Sequence, residues 1–112
     1  MQYEGKDIYC DLIIPGELDV EKVYEDEEIL AFYHSNPYWP VHVIVIPKPH
    51  LPSLTDSGDC DPELAIRVFR VVRDLAKKVE DEYGAASVLT NLGEYQHSKH
   101  LHFHIYHGEP LR

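Results

Sequence analysis

Cysteine is scarce: the 112 residues hold only Cys10 and Cys60, far apart and without a CxxC pair. That spacing gives no stapled secreted scaffold, although it leaves a disulfide between the two open. Basic residues are also few, 10 Lys and Arg against 20 Asp and Glu, for a formal net charge of -10. A surface so negative repels nucleic-acid backbones and anionic membranes, so neither is expected as a partner. A few local donors can still hold a small phosphate ligand. Apolar runs such as Val43–Ile46 are far too short to span a bilayer. No basic stretch followed by an apolar run opens the sequence, so no signal peptide is read. A soluble protein of a reducing compartment, most simply cytoplasmic, is expected.

What is present is ordinary globular material, 44% hydrophobic and 27% charged. At 13.0 kDa it is enough for one domain, residues 1–112, with a real core and little to spare. No repeat, low-complexity tract or linker divides it. Glu21–Tyr24 and Glu28–His34 read as short strands around an acidic hairpin turn, residues 25–27. Val41–Ile46, β-branched and flanked by Pro40 and Pro47, reads as a buried central strand. Pro62–Tyr83 is the only strong helix, with Asp61 as its N-cap and Gly84 just past its end. Its apolar stripe runs through Leu64, Val68, Val71, Val72, Leu75 and Val79. Ala86–Thr90 and His100–Tyr106 complete the strands. Strands grouped before and after one long helix predict an antiparallel α+β domain.

The chemistry concentrates in His100–Tyr106. Strict alternation places His100, His102 and His104 on one face of a strand and Leu101, Phe103 and Ile105 on the other. Same-face neighbours would lie roughly 6.6 Å apart. Such a face is open to three readings: a polar strand surface, a metal site, or catalysis with an imidazole as nucleophile or general base.

The segment resembles the H-φ-H-φ-H-φ-φ signature of the histidine triad (HIT) superfamily. Lys22–Asp26, Leu30–Phe32, Asn36–Pro37, Pro40–His42, Val45–Lys48 with His50, and Thr90–Gly93 stand in the order and near the spacing of its small nucleotide-binding and hydrolysing branch. The resemblance covers roughly residues 7 to 106. It implies that His102 attacks the α-phosphorus of a nucleotide conjugate, giving a nucleotidyl-histidine that water hydrolyses, with a backbone carbonyl holding its other ring nitrogen. It implies that His104 contacts the phosphate, as an imidazolium that offsets its charge, and assists the leaving group. His100 is expected to support, and His42 to partner the triad. Asn91 is expected near the phosphate or ribose and Gln96 in the phosphate loop. Phe32, Ile29 and Val23 are candidates for the base pocket or for plain core.

Three departures from the family pattern stand out. His34 occupies the position where nucleoside-binding members carry an aspartate for the ribose hydroxyls, and an imidazole cannot accept two such bonds. The loop Asn91–Lys99 is about two residues shorter than in most relatives, with His97 in place of a phosphate-binding Ser or Thr and Ser98 one position later. Some bacterial relatives bind zinc through CxxC and two histidines; here the matching set is Asp7, Cys10, His50 and His100. Cys60 has no assigned role.

The expectation is therefore a HIT-like five-stranded antiparallel sheet with one long helix, paired into a two-fold homodimer. The expected substrate is a small nucleotide and the expected activity a nucleotidyl hydrolase or transferase. No cofactor is required for the chemistry, while zinc remains an option. Two other readings stay open: a nucleotide-binding sensor with little turnover, and a metal-binding histidine protein.

Overall fold

The computed structural model describes residues 7–56 and 61–112. Its strands are β1 (Lys22–Glu25), β2 (Ile29–Tyr33), β3 (Val41–Pro47), β4 (Ser87–Leu89) and β5 (Phe103–His107), and its long helix is α1 (Pro62–Tyr83). They form one antiparallel five-stranded sheet in the order β1-β2-β3-β5-β4. The β1–β2 hairpin closes where expected, because the Asp26 carboxylate accepts the N–H groups of Glu28 and Ile29.

Helix α1 begins and ends on local chemistry. The Asp61 side chain accepts the Glu63 N–H at 3.0 Å, and Pro62 needs no donor at that position. Gly84 closes the helix at φ 89°, a left-handed conformation that costs glycine little. Leu64, Val68, Leu75 and Val79 bury against Ile29, Ala31, Val43, Val45 and Ile105 on one face of the sheet. Ile29, with Val23 beside it, belongs to this helix-side core and not to a base pocket. The other face carries Leu30, Phe32, Ile44 and Ile46, covered by Tyr9 and Ile13 of a short π-type helix, Tyr9–Ile13.

The last strand is shorter than the alternation predicts. Its ladder with β3 ends at the pair Val45 and Phe103, so His100–His102 lie outside it. Continuing that register would set Leu101 against Pro47, which has no N–H to give. The Leu101 N–H turns instead to the carbonyl of Leu51. That break decides where each histidine points. Cys10 is a free thiol; Cys60, and so its pairing, lies outside the described residues. Among the described residues no helix is long and apolar enough to cross a membrane.

Candidate active site

His102 and His104 line a cavity of about 410 Å³ on the sheet face opposite α1. The His102 Nδ1 stands 2.7 Å from the carbonyl oxygen of His100. A carbonyl only accepts, so Nδ1 carries the hydrogen and the lone pair sits on Nε2. Tyr9 packs over the ring, centroid to centroid 5.1 Å. Burial lowers the proton affinity of His102, against the opposing pull of that carbonyl, so the ring is neutral near pH 7.

A second chain of hydrogen bonds sets His104. The Tyr38 N–H donates to His42 Nδ1 at 3.2 Å, so the neutral His42 carries its hydrogen on Nε2. That nitrogen lies 2.8 Å from His104 Nδ1 and donates to it. His104 Nδ1 is thereby an acceptor, and its Nε2–H remains as a donor on a ring that lines the cavity. Burial, then the neighbouring imidazoles, push His104 down to about 3; burial and then His34 push His42 down to about 4. The imidazolium expected at His104 is thus not its resting form. An anionic phosphate beside it raises its proton affinity on binding.

These shifts carry a sign for stability. Both folded values lie below the ordinary 6.5, so the unfolded chain takes up protons first. The stabilisation from the two neutral rings is complete above that value. It is lost progressively as pH falls through about 4 for His42 and about 3 for His104. Urea unfolding should therefore show a midpoint that drops between pH 7 and pH 4.5 in the wild type. The drop should be smaller in a His42→Asn, His104→Asn double variant, and an equal drop in both would contradict the assignment.

Asn91, His97, Ser98 and His34 reach the cavity wall. The Ser98 hydroxyl is buried without a hydrogen-bond partner among the described residues, a donor left over for a ligand oxygen. Gln96 departs from expectation: it is buried and its amide donates to the Pro52 carbonyl, pinning the loop instead of lining the cavity. Phe32 lies beneath Tyr9, 6.2 Å between ring centroids, and supports the wall without forming it. The sequence offered no signal for Tyr9, Tyr38, Trp39 or Leu89, which complete the lining.

His100 does not share the face of the other two. It is fully buried, with Nε2 2.7 Å from the Pro47 carbonyl and Nδ1 2.8 Å from Asp7 Oδ2. Its main chain holds His102 while its ring points into a separate cluster. There the donor atoms of Asp7, Cys10, His50 and His100 all lie within 4.8 Å of one another. Burial works against ionisation of Asp7, but hydrogen bonds from the Cys10 N–H and from His100 outweigh it and bring the carboxyl to about 2. Burial and then Asp7 push the Cys10 thiol up to about 12. One oxygen, one sulfur and two imidazole nitrogens form a donor set that fits zinc.

A larger cleft, about 550 Å³, lies elsewhere, walled by apolar side chains of α1 and the β4 edge, Phe69 and Val88 among them.

A family model described as HIT domain matches residues 15–111. An uncharacterised HIT-like protein of Helicobacter pylori strain 26695 is 36% identical over 99 residues, 87% of this chain and 92% of its own length. Among solved structures, a histidine triad protein from Clostridium difficile is 35% identical, with a TM-score of 0.77 over 99% of this chain and 97% of that one. A HIT family hydrolase from Legionella pneumophila is 29% identical, with a TM-score of 0.79 over 95% and 96%.

Proposed function

The chain belongs to the HIT domain family, and from that premise we propose that it is a nucleotidyl hydrolase or transferase. The bond it cleaves is the α-phosphate linkage of a nucleoside phosphoramidate or dinucleoside polyphosphate. The observation that carries this reading is the tautomer of His102: Nδ1–H is held by the His100 carbonyl, leaving a lone pair on Nε2 of a ring that lines the cavity. The similarity to structures named HIT family hydrolases agrees with it.

Nε2 of His102 attacks phosphorus, a P–N bond to the ring forms, and the bond to the leaving group breaks. The ring becomes cationic, and the His100 carbonyl stabilises the Nδ1–H. The leaving group takes a proton that the His104–His42 pair has acquired on binding the anionic substrate. Water then attacks the phosphorus, gives its proton to that pair, and releases His102 as neutral imidazole. Ser98, Asn91 and His97 supply donors for the phosphoryl oxygens. Incubation with a fluorogenic adenosine phosphoramidate should release the amine, and rapid acid-free quenching should find one nucleotidyl group on His102. Binding without turnover across phosphoramidates and dinucleoside polyphosphates would leave the sensor reading in its place.

Zinc is not needed for this chemistry. The convergence of Asp7, Cys10, His50 and His100 favours a structural role: a metal there would tie the start of the Tyr9–Ile13 turn to His100.

We also infer a homodimer. Phe69 and Val88 are 66% and 46% exposed beside the apolar cleft, and β4 is an edge strand of the sheet. A second copy across the helix and that edge would cover both. Light scattering should give about twice 13.0 kDa, and Phe69→Asp should give a monomer. A monomeric wild type at micromolar concentration would count against the dimer.

A further inference from the structure

Among the described residues, neither ladder of the sheet holds the main chain of His102. The ladder of β5 with β3 stops at Phe103, and that with β4 stops at His104. Yet the ring of His102 is hydrogen-bonded to a carbonyl only two residues back, that of His100. So short a loop of covalent bonds makes the contact depend on the main-chain torsions of residues 101 and 102. A small drift in those torsions lengthens the Nδ1–H bond, weakens it, and swings Nε2 with the ring.

Two bonds from other parts of the chain fix that stretch. On one side the Leu101 N–H donates to the Leu51 carbonyl. On the other the Thr90 hydroxyl donates to the His102 carbonyl at 2.7 Å. The second bond stands where the sheet has just ended, since Leu89, opposite His104, is the last residue of β4 to pair. A side chain thus takes over from the backbone as the partner of β5. Thr90 is half-buried and β-branched, so χ1 is restricted and the hydroxyl has little freedom to leave the carbonyl. Valine would fill nearly the same space and donate nothing.

Thr90 also stands at the root of the loop that supplies donors to the cavity. The lining passes from Leu89 to Asn91 and leaves Thr90 out, and His97 and Ser98 follow on the same loop. One hydroxyl therefore ties the main chain of the attacking residue to the base of the segment that faces the phosphoryl oxygens. A side chain that only finished β4 would need no hydroxyl.

We propose that Thr90 is a positioning residue for the nucleophile: by holding the His102 carbonyl, its hydroxyl fixes the ring geometry that turns Nε2 to the substrate. This rests on the nucleotidyl-hydrolase reading and adds to it a residue that acts only through His102.

Thr90→Val and Thr90→Ser separate the hydroxyl from the volume, and Thr90→Ala removes the donor a second way if valine does not fit. With a fluorogenic adenosine phosphoramidate, Thr90→Val should lower kcat by about 10- to 100-fold, the range for a reacting group displaced by up to about 1 Å. KM should stay within about threefold of wild type, and Thr90→Ser should bring kcat back to within about threefold. A merely structural loss would not be repaired by the smaller serine. Nitrogen-15 spectra of the folded proteins without substrate should show the His102 ring with its hydrogen on Nδ1 in the wild type and in Thr90→Ser. In Thr90→Val the same ring signals should shift or split. Unchanged kcat in the valine and alanine variants, a serine variant as slow as valine, a KM that rises as much as kcat falls, or unmoved ring signals would each overturn the proposal. If the wild type neither turns over nor forms an adduct, the hydrolase reading falls, and the ring spectra alone still decide whether Thr90 sets His102.

Discussion

Replacing His102 with alanine should leave a folded protein that binds nucleotide within about tenfold of wild type and turns over on the order of 10⁴-fold more slowly or worse. The reason is local. Among the described residues, His102 is the one imidazole in the cavity whose Nδ1–H is tied to a carbonyl, and so the one whose Nε2 lone pair the structure fixes. His104 has its Nδ1 occupied as an acceptor from His42 and keeps a donor, which suits it to oxygen or to the leaving group. Its replacement by alanine should slow the reaction by about 10²- to 10⁴-fold, as for loss of a general acid. The adduct should vanish in the His102 variant and merely form slowly in the His104 variant. Robust turnover by the His102 variant would mean that the attacking group lies elsewhere.

The parts of this arrangement that rest on local pattern are readable in the sequence. The helix is bracketed by Asp61, Pro62 and Gly84, and Val41–Pro47 is β-branched between prolines. The alternation in residues 100–106 marks out the histidine segment, of which His102 and His104 reach the cavity. What escapes is set by distant contacts. The ladder between β3 and β5 stops because Pro47, more than fifty positions away from His100, lacks an N–H, and no property of residues 100–106 reveals it. That single break turns the His100 ring toward Asp7 and leaves His102 and His104 in the cavity. Tyr9 is similarly invisible, since residues 8–14 carry apolar side chains without the period of an α-helix or a strand. Tyr38 and Trp39 sit in a proline-bounded loop whose course follows from the docking of His34 and His42 against each other.

The cluster behind the site gives the second large effect, this time on stability. The ring of the fully buried His100 is held between two oxygens, with Nε2 at the Pro47 carbonyl and Nδ1 at the Asp7 carboxylate. Asp7 also accepts the N–H groups of Tyr9 and Cys10, at 3.0 and 3.1 Å, and fixes the turn that places Tyr9 over His102. Asp7→Ala strips a buried ring nitrogen of its partner and leaves two N–H groups uncapped. The expected loss is about 3 kcal/mol, a drop of roughly 10–20 °C in Tm for a domain of this size. The Asp7 carboxyl is held at about 2, below its ordinary 3.8, so its contribution is present in full above 3.8 and is lost as pH falls through about 2. The gap in Tm between wild type and variant should therefore be wide at pH 7 and narrower at pH 2.5. Zinc should raise the Tm of the wild type and not that of the variant if the four donors hold a metal together. In the variant kcat should fall more than KM rises, since it is the carbonyl of His100, and through it the tautomer of His102, that loses its support. A variant Tm within about 2 °C of wild type at pH 7 would mean that the charge on Asp7 does not hold His100 in place.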